Sequence, residues 1–246
     1  GQLPAGILLT QVLGGMSRFE PLAEAATEGD AVASLLGVSP LTGVWALAPE
    51  LWRHRSPEIL HLSTHGFCLP FEREAARPSL AAPVGNKLDR RMTLEDPMAR
   101  SGLAFSGVNA ILEGRTVPSE VGDGVVWAAA VQRMDLQRTD LVVLSACRSG
   151  LGELEIGDGA QGLRRAFLAA GCRSVVSTLW DVPDTSARKL MVRFYEGLLA
   201  RKSRLEALAD ARDWVRQEHP NDPVHWAGFV LDGDDRALGR FSPSSH

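Results

Sequence analysis

Apolar positions along this 246-residue chain fall into short blocks whose spacing switches between strand and helix. Residues 7–12 form a β-rich apolar run. Residues 21–36 repeat apolar positions at helical spacing (Leu22, Ala25, Ala26, Val32, Leu35, Leu36) until Gly37 ends the pattern. Residues 43–53 predict a second helix and residues 59–64 a buried strand, so the chain opens as a βαβ unit. Order returns after residue 98. Residues 101–107 predict a short strand or turn, and residues 124–134 a helix or a strand followed by a helix. Residues 141–145 predict a buried strand, residues 161–170 a helix closed by Gly171, and residues 173–179 a third strand. A helix starts at Pro183, after Asp181, and carries Leu190, Val192, Phe194, Leu198 and Leu199 toward Ala200. Residues 203–218 predict a further helix with Leu205, Leu208, Ala209, Trp214 and Val215 as its buried stripe, and residues 226–231 a last strand. The pattern is that of an α/β domain whose strands lie buried between helices.

One stretch breaks it. Residues 67–100 are proline-rich, carry the basic cluster Lys87, Arg90 and Arg91, and show little periodicity. A connection of that length predicts a surface insertion or a functional loop. Were the site selective for basic residues, Lys87 to Arg91 would be a candidate for self-cleavage.

Composition narrows the class. A chain of this length that is 45% hydrophobic and 23% charged can bury one sizeable core, so residues 1–246 are expected to form a single domain. The formal charge of -4 offers no electrostatic reason for direct nucleic-acid or anionic-membrane binding. No apolar run approaches a membrane span and no secretory pattern opens the chain, so a cytoplasmic setting is expected. The first residue is Gly1, which suggests a piece excised from a longer chain. Cys68, Cys147 and Cys172 are too few for a disulfide framework, and none lies in a pair with metal-ligand spacing.

Two apolar runs end in reactive side chains. Ile59-Leu60-His61-Leu62-Ser63-Thr64-His65-Gly66 delivers His65, and Leu141-Val142-Val143-Leu144-Ser145-Ala146-Cys147 delivers Cys147, 82 positions later. Carboxyl ends of parallel strands are where open α/β sheets gather their chemistry. An imidazole in reach of a thiol takes its proton and later hands it to a leaving amine. Gly66 admits close substrate approach, and its N–H together with that of Cys147 would cradle an oxyanion. Cys172, after a helix-ending glycine, suits core packing, and Cys68 ranks behind Cys147 as nucleophile.

Residues 157–162, Gly-Asp-Gly-Ala-Gln-Gly, match a dinucleotide-binding spelling, with Asp181 some twenty residues on. The context is wrong, because that fingerprint follows its strand directly, whereas here eleven residues separate Gly157 from Ser145.

Taken in order, Ser63-Thr64-His65-Gly66, Leu144-Ser145-Ala146-Cys147-Arg148-Ser149-Gly150, residues 162–171, Leu179-Trp180-Asp181-Val182-Pro183-Asp184 and His225-Trp226-Ala227-Gly228-Phe229-Val230 resemble the successive motifs of the CHAT domain, a relative of caspases, gingipains and separase. The resemblance runs from about residue 5 to residue 232. It implies a caspase-like three-layer sandwich, with a mostly parallel central sheet and helices on both faces. It implies a cysteine endopeptidase of bacterial defence or cell death, with His65 as general acid/base, Cys147 as nucleophile, Gly66 and Cys147 as the oxyanion hole, and neither metal nor organic cofactor. The protein substrate would be recognised near Trp180 and Asp181, with Asp158 or Asp184 as alternative acidic partners for a basic residue before the scissile bond. The plainer alternative leaves Asp184 capping the following helix and Asp181 ordering the Trp180 turn. An activating partner or an appended sensor such as tetratricopeptide repeats is also implied. The competing expectation is a silent CHAT-like scaffold that binds a partner without turnover.

Overall fold

The structure, a computed structural model, describes residues 18–69, 97–145 and 158–239. The predicted strand at 7–12, the basic cluster Lys87 to Arg91, Cys147 and the side chain of Asp158 lie outside the described residues.

Seven strands are described: β1 Ile59–Leu62, β2 Gly66–Cys68, β3 Ser101–Ala104, β4 Val125–Trp127, β5 Leu141–Leu144, β6 Ser174–Thr178 and β7 Phe229–Gly233. Four long helices accompany them: α1 Ala23–Leu36, α2 Asp158–Ala169, α3 Asp184–Leu199 and α4 Arg204–Glu218. The principal sheet has the order β1-β5-β6-β7, parallel across its first three strands and antiparallel at β7. A separate antiparallel sheet has the order β2-β3-β4.

Alternation along β5 explains the layers. Leu141 and Val143 point into one apolar cluster with Val32 of α1, Phe194 of α3 and Ala211 of α4. Val142 and Leu144 point into another with Ala166 and Phe167 of α2 and with Leu103 and Val126 of the small sheet. All four residues of β5 are buried, as a strand covered on both faces must be. Helices therefore cover both faces of a mostly parallel sheet, as expected.

Several elements differ from expectation. Residues 43–53 form no continuous helix: a 3-10 turn at Gly43–Trp45 and one α-turn at Glu50–Arg53 flank Pro49. Proline disfavours α geometry in the residue before it and so breaks the pattern. Phe67 and Cys68, assigned to the long connection, lie in β2, and Pro97–Arg100 is a helical turn. In α4 the buried stripe is Arg204, Ala207, Leu208, Ala211 and Val215. Leu205, Ala209 and Trp214 are exposed, because the helix presents the 204, 208, 211, 215 face to α3.

Candidate functional site

β1 and β5 are adjacent and parallel, with Leu62 opposite Leu144, and the Ser145 N–H donates to the Leu62 carbonyl at 3.0 Å. His65 stands three residues beyond Leu62, and Cys147 stands three residues beyond Leu144 in the sequence. The two strands thus leave the sheet side by side, and His65 and Cys147 follow them at equal steps along the sequence.

His65 links β1 to β2. Its carbonyl accepts the Ala104 N–H at 2.9 Å, and the Thr64 hydroxyl donates to the Ala104 carbonyl, which fixes the turn against β3. Its ring packs on Phe19, with centroids 5.4 Å apart. Nε2 lies 2.5 Å from the Glu20 carbonyl oxygen. A carbonyl oxygen only accepts, so Nε2 carries the hydrogen, and in the neutral ring Nδ1 keeps a lone pair.

Gly66 begins β2 and does not lie in a loop. Its ladder partner is Leu103. Antiparallel pairs alternate, and since His65 and Ala104 are joined by a hydrogen bond, the Gly66 N–H turns away from β3 toward the side of β2 that has no strand among the described residues.

Beside these strand ends lies a cleft of about 410 Å³, mouth included. Ser63, Ser145 and Thr178 line it from the ends of β1, β5 and β6. Trp180, Asp181 and Asp184 line it from the segment leading into α3, so three of the four residues predicted for substrate recognition share one cavity. Asp158 is the first residue of α2. Trp180 donates its indole N–H to the Val224 carbonyl at 3.1 Å, and Gly228 lies against it so closely that a Cβ there would meet the ring at 2.9 Å. Asp184 is not a cap: Pro183 occupies the N-cap, and Asp184 stands in the first turn of α3, where its charge suits the helix dipole.

Sequence reasoning missed the far wall, made by the N-cap residue Leu22 and by Glu24, Ala25 and Glu28 of α1. Glu28 is 3% exposed, and its Oε1 lies 2.9 Å from His61 Nε2. On its other side His61 Nδ1 lies 3.0 Å from the Tyr195 hydroxyl, whose pKa is pushed well above its ordinary value by burial and then by the Glu28 charge. A signal existed in the sequence. Ala25 and Val32 on the apolar stripe of α1 leave a gap that Glu28 fills, and His61 interrupts the apolar run of β1.

The other thiols are poor nucleophiles. Cys172 is buried and its pKa is pushed up to about 12 by that burial, while Cys68 is buried and directs its sulfur to the Leu69 carbonyl at 3.7 Å. Among the described residues no group of three or more His, Cys, Asp or Glu is placed to hold a metal ion, and no helix is long and apolar enough to cross a membrane.

The CHAT domain family model matches residues 10–234. Two similar curated relatives are the tetratricopeptide repeat protein 28 of Homo sapiens and that of Mus musculus, each 29% identical over 241 residues, or 92% of this chain. The chain spans only 9% of the length of each.

Proposed function

The chain belongs to the CHAT domain family, and on that premise we propose that it is a cysteine endopeptidase using His65 and Cys147. The observation that carries the reading is the shared register of β1 and β5, which starts the segments bearing His65 and Cys147 from one level of the sheet. The tautomer of His65 supports it, since a ring that donates Nε2–H to the Glu20 carbonyl offers Nδ1 as the base.

The chemistry follows in two steps. Cys147 sulfur attacks the peptide carbonyl carbon as its proton passes to His65 Nδ1, and the oxyanion takes the Gly66 and Cys147 N–H groups. The C–N bond breaks as His65 returns the proton to the amine, leaving a thioester. Water, deprotonated by the same imidazole, then adds to the acyl carbon and releases the acid and the thiol. The carboxylates around the cleft support cleavage after a basic residue. Both relatives are mammalian, so the reading rests on chemistry and not on a bacterial setting. Their name and length support a regulatory repeat module beyond this chain.

A covalent probe tests the reading. A peptide bearing an electrophile after arginine is expected to modify Cys147 of the intact protein and to leave a His65→Ala variant unlabelled. Intact protein that resists this probe and a leucine-ended one, also in the presence of its native partner, would overturn the peptidase reading and favour a binding scaffold.

A further inference from the structure

We infer that Glu28, on the first helix, is the residue that selects a cationic side chain in the cleft, with the Ser145 hydroxyl as its polar companion. The inference rests on the basic-residue preference proposed above and assigns that preference to a residue outside the aspartates of the Trp180 segment.

Four carboxylates line the cleft, Glu24, Glu28, Asp181 and Asp184, and no Lys, Arg or His is among its described lining residues. They are not equivalent. Asp181 and Asp184 are exposed, so water and salt screen their fields. Glu24 is held by Arg188, whose Nε lies 3.0 Å from Oε2. Glu28 alone is deeply buried, and a charge there acts through a medium of low dielectric.

Among the described residues His61 is the one hydrogen-bond partner of Glu28. A carboxylate only accepts, so His61 Nε2 is the donor toward Glu28, and the neutral Tyr195 hydroxyl completes the ring at Nδ1. Both imidazole nitrogens are thereby engaged. Oε1 of Glu28 is occupied, whereas Oε2 has no hydrogen-bond donor among the described residues. A buried carboxylate held this way costs stability unless a donor arrives.

A second acceptor belongs to the same cleft wall. Ser145, 4% exposed and lining the cleft two residues before Cys147, has an Oγ with no hydrogen-bond partner among the described residues. An ammonium or one arm of a guanidinium entering the cleft would meet both a charged and a neutral acceptor. The N-terminus of α3 also faces the cleft and carries about half a positive charge, which would favour an anion. Asp184 in its first turn offsets that preference.

The test separates binding from turnover. In a Cys147→Ala background, butylguanidinium, which mimics an arginine side chain, is titrated against its neutral isostere butylurea and against butyrate, with the Trp180 indole resonance as readout. Butylguanidinium is expected to bind saturably, and both others roughly tenfold more weakly or worse. Adding Glu28→Gln, which keeps an acceptor for His61, is expected to remove the preference over butylurea while the melting curve stays cooperative. Equal binding of all three ligands, tighter binding of butyrate, or a preference that survives Glu28→Gln and vanishes with Asp181→Asn would overturn the assignment. The ligand comparison alone decides if the Glu28 variant does not fold. Cation binding without any covalent labelling of the active protein would leave the pocket assignment standing and remove the peptidase reading.

Discussion

Burial decides what single ionisable groups do in this molecule, and Glu58 shows the sign most plainly. Its pKa is raised, first by loss of water, then by the neighbouring Asp140 charge, with Arg201 opposing. A carboxyl that holds its proton more tightly in the folded state contributes most below its unfolded value of 4.5, and that contribution is lost as pH rises through the folded value. Glu58→Gln is therefore expected to stabilise the protein at pH 7 and to have no effect near pH 3.5. Urea midpoints at the two values check this, and a gain that is equal at both would contradict the cause given. Glu28 is withdrawn further from water than Glu58, and its Oε1 meets the His61 imidazole. What differs is that Glu28 opens on a cleft where a ligand can supply the missing partner, whereas Glu58 does not line it.

At the scale of elements, close packing against the segment between β6 and α3 shapes the cleft wall. Leu179 donates its N–H to the Gly228 carbonyl at 2.9 Å, which brings β7's leading residues under Trp180. A methyl at position 228 would meet Trp180 Cε2 and Nε1 at 2.9 Å and Val182 Cγ2 at 3.0 Å. An indole anchored to Val224 cannot yield cheaply, so Gly228→Ala is expected to cost about 1–3 kcal/mol by overpacking and to slow labelling by an arginine-ended probe. Urea denaturation and the labelling rate read the two effects; unchanged values for both would show that Trp180 is free to move. The elements themselves were largely legible, because period and punctuation are local. Gly37 closes α1 in the left-handed conformation, and Ser203 with Glu206 forms a reciprocal capping box that starts α4. What was illegible depended on partners distant in sequence. The phase of α4 was misjudged because Arg204, which reads as surface, is buried to donate to the Arg236 carbonyl at 2.9 Å, while Leu205 and Trp214 face water. The α1 wall of the cleft escaped notice for the same reason: a glutamate inside an apolar stripe announces a partner without saying which, and only the fold brings it to His61.

The two larger apolar layers among the described residues share the principal sheet, and each layer holds an acid that the fold keeps protonated. Cys172 sits in the layer that includes α2, Tyr195 in the layer of α1, α3 and α4. Burial pushes the Cys172 thiol from 9.0 to about 12 and the Tyr195 hydroxyl well above 10.0. Well below pH 9 both groups are neutral in folded and unfolded chains alike, so neither makes stability depend on pH. Above that, the unfolded chain releases protons that the folded chain retains. The folded state then binds more protons than the unfolded one, and stability falls as pH rises, first through the thiol and from about 10 through the phenol as well. Because β5 contributes alternate residues to both layers, loosening one face removes support from the other, and a single cooperative alkaline transition is expected. Cys172→Ala should delay the onset of the decline from near pH 9 to near pH 10, the ordinary value for tyrosine. Urea midpoints measured from pH 7 to 11 on the two proteins decide the matter. A midpoint that stays level to pH 11 would mean that neither layer excludes water from its acid, and an onset unmoved by Cys172→Ala would assign the whole alkaline limb to Tyr195 and the layer formed by α1, α3 and α4.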